Sequence, residues 1–240
     1  ISKIITMKSM FQCCYNLKEI DTSRFNTSNV IDMGSMFYEC NSLKKIDLSS
    51  FDTSKVTNMD SMFYKCSGLE NLDVSSFVTS SVTSMGSMFA GCSNLKGLDL
   101  SNFDTSSNES MISMFHSCKS LEFLDISNFN TSNVIYMNNM FNNLSLTSID
   151  VSNFNTSKVS NFSGMFANCT NLKSLDISSF DISSGILFSG MFGNCTGLEK
   201  IFVSDNFNVN SDASTDSMFL SCTKLRNYNE SFVDKTNANT

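Results

Sequence analysis

Eight of the nine cysteines recur at one spacing: Cys14, Cys40, Cys66, Cys92, Cys118, Cys169, Cys195 and Cys222. Regularly placed thiols can form disulfides or hold a soft metal ion. Leu144 stands where the sixth member should be. A slot that accepts Leu is a small apolar core site, and a free Cys behaves as such a residue. The expected role is therefore a buried thiol, although Cα atoms about 5 Å apart in neighbouring coils lie within disulfide reach. Cys13 falls outside the series and is the accessible thiol of the chain, but the Cys13-Cys14 pair lacks metal-site spacing.

A second series is acidic: Asp21, Asp47, Asp73, Asp99, Asp125, Asp150 and Asp176. Unit charges at that separation repel by roughly 1 kcal/mol in water. Solvent, local hydrogen bonds to Ser and backbone, and nearby Lys44, Lys45, Lys96 and Lys173 would offset the repulsion. The alternative is a cationic ligand, Ca²⁺ or a basic patch on a partner, but the acids lack a Ca²⁺-loop signature. Asp47, Asp73, Asp99, Asp125, Asp150 and Asp176, with flanking Glu70, Lys96, Glu122 and Lys173, form the candidate binding face. The one histidine, His116, shares a variable position with Tyr38, Tyr64, Ala90, Asn142, Ala167 and Gly193. No Ser/His/Asp set, His pair or Gly-rich phosphate loop can be assembled around it. No catalytic residue, cofactor or metal ligand is expected.

The elements that position these side chains follow from one dipeptide. Met-Phe occurs nine times, from Met10-Phe11 to Met218-Phe219, at steps of 26, 26, 26, 26, 26, 25, 26 and 27 residues. A fixed period in this range specifies a solenoid, whose units bury their apolar faces only by stacking. In the third copy, Leu69, Leu72, Asp73 and Val74 end in the alternation of a short strand, with Leu72 and Val74 opposite Asp73. Val82, Met85, Met88, Phe89 and Cys92 then fall at i, i+3, i+6, i+7 and i+10, one stripe of a helix. Thr79-Ser80-Ser81 offers side-chain oxygens for its N-cap. The reading is one short parallel strand plus one short helix or helical turn per coil. The competing reading replaces the helix with a second short strand at Val-x-x-Met and a helical turn at Met-Phe-x-x-Cys.

All 15 Met lie on two positions of the repeat and 18 of the 22 Phe on two others, which makes these columns the core. The Phe25, Phe51, Phe77, Phe103, Phe129, Phe154, Phe180, Phe207 and Phe232 column is expected to form a stacked spine. The unbroken period assigns residues 1–232 to a single leucine-rich-repeat-like solenoid of about nine coils and 233–240 to a polar C-terminal tail. Tyr228-Asn229-Glu230 depart from the strand pattern as a partial cap would. The chain starts in mid-repeat and reads as a segment of a longer protein, with any export signal upstream. Its net charge of −7 gives no electrostatic footprint for nucleic acid. No apolar run reaches the ~20 residues of a membrane span.

The unit Leu-x-x-Leu-Asp-Leu-Ser-x-Phe-Asp-Thr-Ser-x-Val-Thr-x-Met-x-x-Met-Phe-x-x-Cys, found at 43–66 with Ile46 in the second Leu position, resembles the BspA-like leucine-rich-repeat surface proteins, a repeat group also found in mycoplasma surface lipoproteins. The match runs from Ile4 to about Phe232 and departs where Phe202 replaces the ladder Asp and Thr215 the ladder Met. The resemblance implies a curved leucine-rich-repeat solenoid, extracellular or on a cell surface, and adhesion to host proteins, glycans or other cells. Its expected partner is an extracellular protein or glycan held by the strand-side face. A structural spacer or a filament self-associating through its coil ends is the second expectation. Ice binding by aligned Thr27, Thr53, Thr79 and Thr105 is a third, weakened by Ile182 and Val209 in the same column. Truncating a packed Phe costs about 3–5 kcal/mol. Phe103→Ala should therefore lower the melting temperature far more than Asn102→Ala, and equal melting temperatures would refute the spine.

Overall fold

The computed structural model describes residues 4–205 and 207–225, so Phe232, the Tyr228-Asn229-Glu230 segment and the 233–240 tail lie outside the described residues. The chain winds as a repeat solenoid, and its most continuous seam is a column of parallel β-bridges. Thr6, Asp32, Asn58, Ser84, Ser110, Tyr136, Asn161, Leu187 and Ser214 each bridge to the next in that order. Main-chain bonds flank the column, such as Ile31 N–H to Ile5 O and Met33 N–H to Asn58 O, at 2.9 and 3.0 Å.

No helix occurs among the described residues. The apolar stripe that suggested one is a run of tight turns, repeated in every coil. Within it the backbone donors alternate. Ser35, Phe37 and Glu39 donate to Asp60, Met62 and Tyr64 of the next coil at 2.7–2.9 Å. Met36, Tyr38 and Cys40 donate three residues back, to Met33, Ser35 and Phe37, at 3.0–3.2 Å. A helix would spend all of these donors within the coil. Here half of them bind coil to coil.

The geometry needs two left-handed residues per coil, at φ of +55° for Ser35 and +57° for Glu39. A left-handed L-residue costs roughly 1–2 kcal/mol, least for Gly, Asn and Asp. The first such position accordingly reads Ser9, Ser35, Ser61, Ser87, Ser113, Asn139, Gly164, Gly190 and Ser217. A side chain on Gly164 would also run into the Asn139 amide. The abundance of poor helix formers on this stripe thus has a structural cause. Of the alternative reading, the extended part at Val-x-x-Met has its counterpart in the bridge column, while the helical turn at Met-Phe-x-x-Cys is replaced by these tight turns.

The strand half is less regular than the alternation suggests. Among the described residues four strands form: β1 (Gly97–Asp99), β2 (Phe123–Asp125), β3 (Ser174–Asp176) and β4 (Lys200–Phe202). β1 and β2 pair in parallel with Leu98 beside Leu124, and β3 and β4 with Leu175 beside Ile201. No pairing joins β2 to β3 through the sixth coil.

A side-chain ladder bonds the next corner of the coil. Thr27, Thr53, Thr79, Thr105, Thr131 and Thr156 are buried, and each Oγ1 donates to a carbonyl of the following coil at 2.8–3.0 Å. Four of them also accept a backbone N–H from that coil, at 2.7–2.8 Å. These hydroxyls are spent internally, so no flat Thr array faces solvent and the ice-binding expectation falls.

The core lies between these seams. Met33, Met36, Phe37 and Cys40 have no exposed surface, and neither do their equivalents in the next coils. The continuous ring stack is the Met-Phe column, not the one expected. Phe11, Phe37, Phe63, Phe89, Phe115, Phe141, Phe166, Phe192 and Phe219 stack with centroids 5.4–6.1 Å apart and planes within 14°. Of the other column, Phe129 and Phe154 tilt by 33–34° onto Phe115 and Phe141 of that stack. The turn column holds its coils at main-chain hydrogen-bonding distance, which is what lets flat rings stack.

In the seventh and eighth coils Phe162 and Phe188 replace the first ladder Met and stack at 5.2 Å. Gly185, where Val30, Val56, Val82, Val134 and Val159 stand in other coils, leaves the space that the Phe188 ring fills. In the fifth coil the Val position holds Asn108, fully buried, with neither its Oδ1 nor its Nδ2 paired. An unpaired buried polar group costs about 1–3 kcal/mol. Asn108→Val should raise unfolding stability by about that amount in urea titration, and an unchanged midpoint would show that the amide is satisfied in solution. Asn102, by contrast, donates its amide to Val74, Ser75 and Phe77 carbonyls at 3.1–3.2 Å, so its removal is not silent.

Candidate functional site

All described ladder thiols are free, and seven of them are buried. The Sγ of Cys40, Cys66, Cys92, Cys118, Cys169, Cys195 and Cys222 donates to a Phe carbonyl of the preceding coil at 3.0–3.1 Å. Burial pushes the Cys92 thiol up to about 12 and the Cys40 thiol up to about 11. A thiol without thiolate character is a poor nucleophile and a poor ligand. These cysteines are core side chains. Cys14 is exposed and Cys13 half-buried.

His116 is half-buried rather than on an open surface. Its Nε2 meets Ser117 Oγ at 3.2 Å, while its Nδ1 is buried without a partner. Burial, and then the Lys119 charge, lower its pKa. Nothing that could serve as a nucleophile faces the ring in hydrogen-bonding contact except that Ser117 hydroxyl.

The acidic ladder lies on the strand side. Asp47, Asp73, Asp99, Asp150, Asp176, Glu70, Lys96, Glu122 and Lys173 are exposed and Asp125 is half-buried. Each ladder carboxylate from Asp21 to Asp176 accepts the backbone N–H of the Ser two residues on, at 2.9–3.0 Å. These bonds close Asx turns that swing the chain from the strand into the Phe corner. A second array repeats the device one corner later. Asp52, Asp104 and Asp181 accept the N–H of Ser54, Ser106 and Ser183 at 2.9–3.1 Å. Its signal, Asp or Asn two residues before Ser, recurs at Asn26, Asp52, Asp104, Asn130, Asn155 and Asp181, with Val78 in that place in one coil.

The carboxylates are therefore spent first on the chain itself. Serine hydroxyl and backbone N–H hold Asp21, Asp47, Asp73, Asp125 and Asp176 below the ordinary carboxylate value, and at Asp150 the N–H leads. Repulsion from Asp73 at Asp47, and from Asp176 at Asp150, is the smallest contribution. The Lys45–Glu19 pair at 3.7 Å is largely exposed and contributes little.

This face is broken by a cleft of about 430 Å³ between the 19–21 and 45–47 segments, and by another at the sixth coil. Leu144 and Leu146 stand two residues apart where Cys118 and Leu121 stand three apart. The missing residue pulls this segment out of register, and a cleft of about 670 Å³ opens between the fifth and sixth coils. Phe123, 54% exposed, and Leu124 form one apolar wall, and Leu146 and Ile149 face them. Lys96, Lys119, Glu122 and Asp150 carry its charge. The structure thus gathers Lys96, Glu122 and Asp150 of the candidate face at one place. It leaves Asp73 and Asp99 outside the cleft, Asp176 and Lys173 beyond it, and Asp47 in a separate cleft of about 430 Å³ with Glu19, Asp21 and Lys45. The 25-residue step was the legible sign of the sixth-coil cleft; its consequence for pairing was not.

A folded-state pKa below the unfolded one stabilises the fold above the unfolded pKa, near 3.8 for Asp, and that contribution is lost as pH falls through the folded value. Unfolding stability should therefore drop steeply on acidification below about pH 4. Asp73→Asn, which keeps the acceptor oxygen but does not titrate, should make that drop shallower. An identical acid limb in the variant, followed by circular dichroism, would show that the Asx-turn carboxylates do not carry it.

Among known proteins, the sequence matches the family described as mycoplasma protein of unknown function, DUF285, over residues 1–98, 70–171 and 110–235. No curated protein matches the chain. Two solved structures are similar. One is a leucine-rich repeat protein from Bacteroides ovatus, 17% identical, with a TM-score of 0.41 over 91% of this chain and 68% of that one. The other is a leucine-rich cell surface protein from Faecalibacterium prausnitzii, 17% identical, with a TM-score of 0.36 over 82% of this chain and 64% of that one. No helix among the described residues is long and apolar enough to cross a membrane. The overlapping family matches span nearly the whole repeat, in line with the mycoplasma side of the resemblance read from its residues, and the chain belongs to the DUF285 family.

Proposed function

We propose that the chain is a non-enzymatic binding module, extracellular or displayed on a cell surface, that holds a protein or glycan ligand on its strand side. The resemblance of the repeat to BspA-like surface proteins supports the setting. One observation carries the choice of face: the cleft of about 670 Å³ opens there, and its volume lies within the roughly 300–1,000 Å³ of ordinary ligand pockets. It also combines an exposed aromatic side chain with charges of both signs, the mixture that recognition surfaces use. The buried thiols are spent in the core and the Asp150 carboxylate in its Asx turn, which leaves Lys96, Lys119 and Glu122 as charged contacts for a ligand.

The test is a binding screen of the purified chain against extracellular-matrix proteins, mucins and a glycan array, with light scattering on the same sample. A saturable ligand whose affinity falls at least about tenfold, or ~1.4 kcal/mol, in Lys96→Ala/Glu122→Ala supports the reading. Absence of any ligand, with particle size growing with concentration, would replace it with a self-associating structural element.

A further inference from the structure

We infer that the cleft between the fifth and sixth coils takes an extended polypeptide segment of a protein partner, which adds to the solenoid as a β-strand. The inference rests on the binding-module reading and narrows its ligand to one class. Its basis is the main chain of the sixth coil. None of the backbone N–H groups of residues 144–151 has an acceptor among the described residues. The equivalent stretch of the fifth coil bonds Cys118, Leu121, Glu122 and Phe123, and that of the seventh bonds Cys169, Thr170 and Leu172 before β3 begins. Unbonded stretches at 18–22 and 70–74 are shorter, and the turn bonds of Leu17 and Leu69 run up to them. In the sixth coil even the turn bond is gone, because the missing residue removes the spacing that closes it.

Across the cleft stands β2, which pairs with β1 on one side and with nothing on the other. The free edge of a three-residue strand and an irregular segment bent at Thr147, both with unspent groups, therefore face one opening. Alternate groups of an extended chain point to opposite edges. An incoming strand would meet those of 144–151 that turn towards β2 and the free edge of β2 itself. Sheet addition draws affinity from such main-chain bonds and specificity from pockets for alternate side chains. The walls state that specificity: Phe123, Leu124, Leu146 and Ile149 suit apolar residues, while Lys96, Lys119, Glu122 and Asp150 suit charges of both signs between them. A glycan would use the hydroxyls and carboxylates but has no comparable pattern of donors and acceptors to match the backbone.

The experiment is hydrogen exchange by mass spectrometry on the full chain, alone and with an acetylated octapeptide alternating valine with lysine and glutamate. Unbonded amides exchange without an opening step. In the free chain, residues 144–151 should exchange at least about tenfold faster than 169–176. The peptide should slow 144–151, and the same peptide N-methylated at alternate amides should not. Phe123→Ala, at an exposed position, should weaken the protection while leaving the melting temperature unchanged. An inserted serine after Ser145, restoring the 26-residue step, should abolish it.

Equal protection by the N-methylated peptide would overturn strand addition. So would protection that appears in the free chain as its concentration rises, which would make a second copy the occupant. Protection by a heparin oligosaccharide with none from the peptide would assign the cleft to a glycan, overturning this inference while leaving the binding-module reading in place. A ligand from the protein screen that leaves 144–151 unprotected would do the same.

Discussion

The structure depends on how the turn column divides its backbone hydrogen bonds. Alternate N–H groups reach the next coil and the intervening ones close turns three residues back. Every donor of the run is satisfied, yet half the bonds hold neighbouring coils at a fixed distance. Buried main-chain groups have to be paired, and here the pairing itself is the device that stacks the coils. The Phe rings at 5.4–6.1 Å, the Met columns and the thiols follow from that spacing. Because each coil closes its neighbour's bonds, stability is a nearest-neighbour property, as expected of a solenoid.

Polar side chains finish what the backbone leaves open. At the Thr corner a hydroxyl stands in for strand pairing, donating to one group of the next coil and accepting from another. At two further corners Asp or Asn oxygens cap the N–H of a Ser two residues on. These are local bonds, each stabilising by about 0.5–1.5 kcal/mol net and more where the acceptor is charged. Their repetition explains a composition rich in Ser, Thr, Asn and Asp in a chain with such pure apolar columns. It also explains why an acidic ladder tolerates its own repulsion.

The strand-side surface changes character where the repetition fails. Nine near-equivalent coils present one face many times over, and such a face discriminates poorly. The sixth coil, one residue short between Leu144 and Leu146, leaves the strand side unpaired and opens a cleft with its own aromatic wall and charges. The opposite seam runs through the same coil without interruption, with Tyr136 bridged to Asn161. The missing residue thus goes with a cleft on one side while the other side keeps the coils in line.

The period, the identity of the core columns, the buried thiol and the outward Asp ladder were legible in the sequence, because side-chain type at a repeated position reports burial directly. Conformation was not. An apolar stripe at i, i+3, i+6 and i+7 satisfies a helix and a run of turns equally. Only the neighbouring coil's carbonyls, absent from any local reading, favour the turns, with Ser35 and Glu39 left-handed. The choice of which Phe column stacks was likewise settled by the distance between coils. The missing residue of the sixth coil could be counted in the sequence, but whether it would be absorbed in a loop or break the pairing was decided by the main-chain bonds of 144–151 in three dimensions. Residue types specify what is buried; the partners of the backbone, supplied by the next coil, decide its shape.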